Sequence, residues 1–91
     1  MAKIVLPAAL RRRMENPTPE VEITAGTVGE ALNQLIRRHP ELEQALFDSE
    51  GRIRAVLRIF IGERAIPPEN VQTAPIDKAD EILLLPPIAG G

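Results

Sequence analysis

The segment Glu81-Ile82-Leu83-Leu84-Leu85, stopped by Pro86-Pro87, constrains the fold more than any other part of the chain. Successive side chains of a strand point to opposite faces, so Ile82 and Leu84 share one face and Leu83 and Leu85 the other. Both faces are apolar. Such a strand belongs inside a sheet, with one face packed on a helix and the other covered or used to bind a partner. The prolines lack an amide donor and fix φ, so they end the strand and favour an extended path. Ile88-Ala89-Gly90-Gly91 follows. Glycine has no Cβ and enters narrow channels and conformations closed to other residues. At about 3.3 Å per residue, residues 86–91 reach roughly 20 Å from the body. The expectation is a flexible tail, 86–91, that carries its terminal carboxylate into another protein's active site.

The rest of the chain supplies partners for that strand. Residues 3–6 alternate, with Ile4 and Leu6 on one face and Lys3 and Val5 on the other; residues 21–24 put Val21 and Ile23 on one side. Thr27 with Glu30 three residues on forms a capping-box pattern. Val28, Ala31, Leu32, Leu35 and Ile36 then recur at the spacing of one helical stripe, and Pro40 stops the helix. Residues 41–47 suit a short second helix. Residues 52–61 alternate cleanly and read as a long strand, with Ile53, Ala55, Leu57, Ile59 and Ile61 inward and Val56 and Phe60 outward. Gly62-Glu63 is a turn, residues 64–66 a short return strand, and 8–19 and 67–79 irregular connections. One helix stripe against a mixed sheet of four to five strands is an α+β layer architecture. At this length the chain is expected to form one domain, 1–91.

Side-chain chemistry is sparse. There is no cysteine, which removes disulfides and thiolates, and His39 is the only histidine. No metal site and no catalytic residue is expected. His39 and Ser49 lie around a short helix without the pattern of an oriented triad. The formal net charge of −2 favours neither nucleic acid nor membrane, and the two aromatics, both Phe, make poor base-stacking platforms. No apolar run approaches the ~20 residues of a membrane span, and the N-terminus is too short in apolar residues for a secretion signal. A cytoplasmic protein is expected. Parity places Val5, Val56, Phe60, Leu83 and Leu85 on one outward face, an apolar patch rimmed by arginines, which suits a protein–protein site.

The segment from Asp80 to Gly91 (acidic pair, apolar strand, two prolines, an apolar and a small residue, Gly-Gly) resembles the C-terminal signature of the MoaD/ThiS sulfur carriers, and the element order is similar over essentially the whole chain. The resemblance implies a ubiquitin-like β-grasp fold with one main helix and a short second one. It implies a carrier, not an enzyme, at most the non-catalytic small subunit of a sulfurtransferase such as molybdopterin synthase. It implies an ATP-dependent adenylyltransferase, related to ubiquitin-activating enzymes, that takes in the tail and activates Gly91, and a thiocarboxylate formed there that gives its sulfur to a second, biosynthetic enzyme. No cofactor is bound by the carrier itself, ATP and Mg²⁺ belonging to the activating partner. Gly90 and Gly91 carry over as the sulfur-carrying end, with Leu85, Pro86, Pro87 and Ile88 as partner contacts leading to it. Pro86-Pro87 is similar to the molybdopterin branch; Arg58-Ile59-Phe60-Ile61-Gly62 and the final Ile88-Ala89-Gly90-Gly91 are similar to carriers for cysteine synthesis. A protein modifier joined to lysines through Gly91, or a plain β-grasp interaction module, are the alternatives. The family's usual Asp-Gly-Asp turn before the last strand is replaced by Asp77-Lys78-Ala79-Asp80.

Overall fold

The structure, a computed structural model, describes residues 2–54 and 56–86. Five strands, β1 (Ala2–Val5), β2 (Glu20–Ile23), β3 (Arg58–Ile61), β4 (Arg64–Ile66) and β5 (Glu81–Leu85), form one mixed sheet in the order β2-β1-β5-β3-β4. The apolar last strand is therefore central. It runs parallel to β1, with Ile4 beside Ile82, and antiparallel to β3, with Ile59 beside Leu84. The helix α2 (Val28–Arg38) packs on one face of this sheet, which is the β-grasp arrangement. Short helices α1 (Ala8–Arg11) and α3 (Glu43–Leu46) complete it.

The inward face follows strand parity. Ile4, Ile23, Ile82 and Leu84 are fully buried against Val28, Ala31, Leu32 and Leu35 of α2. A variant of the capping box forms: the Thr27 hydroxyl oxygen accepts from the Glu30 amide at 3.2 Å, and the Glu30 carboxylate accepts from the amide of Gly26, one residue before the cap, at 3.1 Å. The helix ends at His39, and Pro40 opens a 3-10 turn, Pro40–Leu42, that seats Leu42 in the core.

Three expectations are corrected. Only Arg58–Ile61 of the proposed 52–61 strand joins the sheet. Asp48 instead folds residues 48–52 into a tight loop: its carboxylate accepts from the amides of Glu50 and Arg52 at 2.9 and 3.0 Å, and Gly51 takes φ +80°. Ile53 makes an isolated bridge with Phe47, and the Arg54 amide donates to the Leu46 carbonyl. The sequence alternates through this stretch, but the Arg52 and Arg54 amides bond to the segment before it. Second, residues 8–19 are not all irregular, since α1 buries Leu10, and Met14 follows it into the core. A four-residue helix is too short to show a period. Third, the connection 67–76 does more than link strands. Val71, Ala74 and Ile76 are buried, and the carbonyls of Gln72 and Ala74 accept from the first amides of α2, Gly29 at 3.2 Å and Val28 at 2.9 Å. The turn before β5 closes without glycine. The Asp80 carboxylate accepts from the Asp77 amide at 2.7 Å, the Asp80 amide donates back to the Asp77 carbonyl at 3.1 Å, and no described non-glycine residue has positive φ.

Gly29 is fixed by that clip. A Cβ there would lie 2.6 Å from the Gln72 carbonyl oxygen and also against the Gln72 side chain. Gly29→Ala is expected to destabilise the fold by about 1–3 kcal/mol through overpacking, despite alanine's higher helix propensity; urea unfolding measures it. A second expectation concerns acid. The amides of Glu41 itself and of Glu15, with His39 alongside, hold the Glu41 carboxyl below its ordinary value of 4.5. A depressed folded-state value adds stability above that ordinary value, lost as pH falls through the folded one. Glu41→Gln should therefore lose less stability below pH 4.5 than the wild type, read from urea midpoints across the acid range.

Candidate functional site

The face of the sheet opposite α2 carries the outward residues of all five strands. Register sets their order. Leu83 of β5 lies between Val5 of β1 and Phe60 of β3, with Glu20 beyond Val5 and Ala65 beyond Phe60. Leu85 lies one step further along β5 beside Arg58. Val5, Phe60, Leu83 and Leu85 are each half-buried, as is Pro86, unlike Ile82 and Leu84 on the inward side. The structure thus brings four of the sequence-derived partner residues into one apolar strip along the central strand. The expectations for Pro87, Ile88, Gly90 and Gly91 lie outside the described residues, and of the proposed tail only Pro86 is described.

The rim differs from the expected ring of arginines. At the start of β5 it is acidic: Glu22, Lys3 and Glu81 lie side by side, and the Lys3 ammonium is 3.4 Å from both the Glu20 and the Glu81 carboxylates. Its hydrogen bond to Glu20, reinforced by Glu81, raises the Lys3 pKa above the usual lysine value. Several arginines gather at the other end. There an open cleft of about 870 Å³ is lined by Arg12, Arg13, Arg54, Val56, Leu85 and Pro86 among others. Val56 is 60 % exposed. Sequence reading grouped Arg12 and Arg13 with Arg11 as a surface run. It missed that α1 separates them, turning Arg11 back to donate to the Leu6 carbonyl at 2.6 Å while Arg12 and Arg13 stay exposed. A helical turn after Pro7 is the signal for that split.

Among the described residues, His39 and Ser49 are not brought together. His39 faces Glu41, with Nδ1 3.8 Å from its carboxylate, and Ser49 is exposed in the 48–52 loop. Among the described residues no group of three or more potential metal ligands comes together, and no helix is long and apolar enough to cross a membrane.

The fold is ubiquitin-like, and the comparisons agree. The ThiS family model matches residues 4–91, and the chain belongs to this family of ubiquitin-like sulfur carriers. It is similar to small archaeal modifier protein 1 of Haloferax volcanii, 32% identical over an alignment of 69 positions that covers 71% of this chain and 70% of that protein. The crystal structure of that protein superposes with a TM-score of 0.80 at 27% identity, covering 99% of this chain and 98% of the other. A chain in the crystal structure of the Amycolatopsis orientalis BexX/CysO complex matches at TM-score 0.84 over 100% of both chains; at 21% identity it speaks for the fold alone.

The surface character of the strip is separable from the core. Phe60→Asp should still unfold cooperatively near the wild-type urea midpoint, whereas Leu84→Ala, on the inward face of the same sheet, should cost about 2–5 kcal/mol. Equal losses in the two variants would show that Phe60 is core.

Proposed function

We propose that this protein is a sulfur carrier whose terminal Gly91 is activated by a ubiquitin-activating-type adenylyltransferase. The observation that carries the reading is the apolar strip of Val5, Phe60, Leu83 and Leu85 on β5 and its two neighbours, leading directly into Pro86 and toward Gly90-Gly91, in a chain matched by the ThiS model through residue 91. The body docks by this strip while the tail, with no side chain on its last two residues, enters the partner. The Gly91 carboxylate attacks the α-phosphate of ATP and pyrophosphate leaves. A sulfur donor then displaces AMP from the acyl-adenylate, and the resulting thiocarboxylate is passed to an accepting enzyme for molybdopterin or cysteine synthesis. The carboxylate itself is a poor electrophile, and the adenylate supplies the leaving group. The chain contributes positioning and its own terminus; ATP, Mg²⁺ and the catalytic groups belong to the partner. The chain works as one domain, in the cytoplasm.

A second reading is supported by the modifier named among its relatives. There the same adenylate is attacked by a lysine amine, and Gly91 ends in an isopeptide bond. Both readings use one activation step and differ in the nucleophile.

Intact mass after incubation with ATP, the adenylyltransferase encoded in the same genome and a sulfide source tests the first reading. The expected result is the mass gain of one oxygen replaced by sulfur, lost on deleting Gly90-Gly91 and slowed at least tenfold by Leu85→Asp or Phe60→Asp. An unmodified chain beside an enzyme that activates its own standard substrate would overturn it. High-molecular-weight conjugates that vanish with Gly90-Gly91 would favour the modifier.

A further inference from the structure

The open face is electrically polarised along its central strand. Its first end holds Glu20, Glu22 and Glu81 with Lys3 among them, and the Arg38 guanidinium reaches the Glu22 carbonyl from α2. Its other end holds Arg58 beside Leu85 and the cleft with Arg12, Arg13 and Arg54, which has no carboxylate in its lining. The whole chain carries net charge −2, so this concentration of positive charge is local. Four steps of about 3.3 Å separate Glu81 from Leu85, roughly 13 Å in all, more than the Debye length of ~8 Å at physiological salt. A partner therefore meets the two ends as distinct poles.

The arginines differ in how they are held. Arg54 donates from Nε to the Gln44 carbonyl at 2.8 Å and is fixed against α3. Among the described residues no side-chain hydrogen bond or ion pair engages Arg12 or Arg13, and both are exposed. Among the described residues these two guanidiniums have no side-chain partner, and they line the cleft at which β5 passes into Pro86. In an apolar cleft this arrangement suits carboxylates brought by another surface, which guanidinium binds with two parallel hydrogen bonds.

We infer that the activating partner presents a carboxylate cluster at the mouth of its tail channel, and that pairing with Arg12, Arg13 and Arg54 sets the direction of docking. The apolar strip alone does not distinguish the two ends of β5, and a carrier seated backwards leaves its tail pointing away from the channel. Charges of opposite sign at the two ends make the wrong orientation repulsive at both. Electrostatic complementarity of this kind governs encounter rate and register more than final affinity. Nucleic acid fits the cleft less well, because neither Phe47 nor Phe60 lines it as a stacking platform.

The inference rests on the carrier reading, and the test separates the two. Association of the full chain with the purified adenylyltransferase of the same genome is followed from low salt to about 0.3 M, where screening suppresses surface electrostatics. Arg12→Glu/Arg13→Glu should lower the association rate at low salt at least tenfold and flatten its salt dependence, with a smaller change in dissociation rate. Arg37→Glu, on the exposed side of α2, makes a smaller change of net charge away from the face and should leave both near wild type. Circular dichroism confirms that each variant is folded, and Arg54→Gln provides a separate removal of charge at the fixed arginine. If the wild type is adenylated and the Arg12/Arg13 double variant associates at the wild-type rate, the inference falls and the carrier reading stands. An Arg37 variant that slows as much as the double variant would reduce the effect to net charge and also overturn it. Displacement of the enzyme by a single-stranded oligouridylate would reassign the cleft to nucleic acid. Absence of adenylation in the wild type would end the carrier reading, and this inference with it.

Discussion

The packing of β5 between β1 and β3 is the interaction on which the rest of the molecule depends. Ile82 and Leu84 close the core beneath α2, while Leu83 brings Val5 and Phe60 into line on the other face. One strand thus anchors the fold, builds the contact surface and delivers the chain to Pro86. Burial of two large aliphatic side chains, each worth roughly 1.5–3 kcal/mol relative to exposure, fixes the register of this strand. A slip of one residue would place Leu83 and Leu85 in the core and expose Ile82 and Leu84. The position of the tail's origin is therefore tied to the stability of the core.

That coupling explains why so much was legible in the sequence. Double-sided apolarity in a short strand admits few solutions, and centrality in a sheet is the one the structure adopts. The capping box at Thr27 and Glu30 and the stripe from Val28 to Ile36 fixed the helix, because both rest on contacts within four residues. The outward group of Val5, Phe60, Leu83 and Leu85 followed from parity alone.

What was not legible depended on hydrogen bonds rather than on hydropathy. Residues 52–57 keep an alternating pattern in the sequence, yet Asp48 turns the chain leading into them into a tight loop by accepting the amides of Glu50 and Arg52. Those amides, Arg52's ahead of Glu50's, also hold the Asp48 carboxyl below its usual range. Leu10 and Met14 reach the core from a helical turn of four residues, too brief to leave a periodic trace. The separation of charge on the open face was hidden for a related reason. Glu20, Glu22 and Glu81 are far apart along the chain and meet only through the β2-β1-β5 order. Arg12 and Arg54 are likewise joined only by the fold.

The clip between residues 67–76 and the start of α2 has a different implication, for sequence drift. It is made by the main-chain carbonyls of Gln72 and Ala74, which any residue type supplies. Constraint on that connection therefore falls on its buried positions, Val71, Ala74 and Ile76, and on the absence of a side chain at Gly29 across from it. Exposed positions such as Glu69, Asn70 and Thr73 remain open to substitution. Relatives can vary the composition of this stretch widely while the helix start stays in place, so a comparison of residue types there understates how similarly two such chains are built.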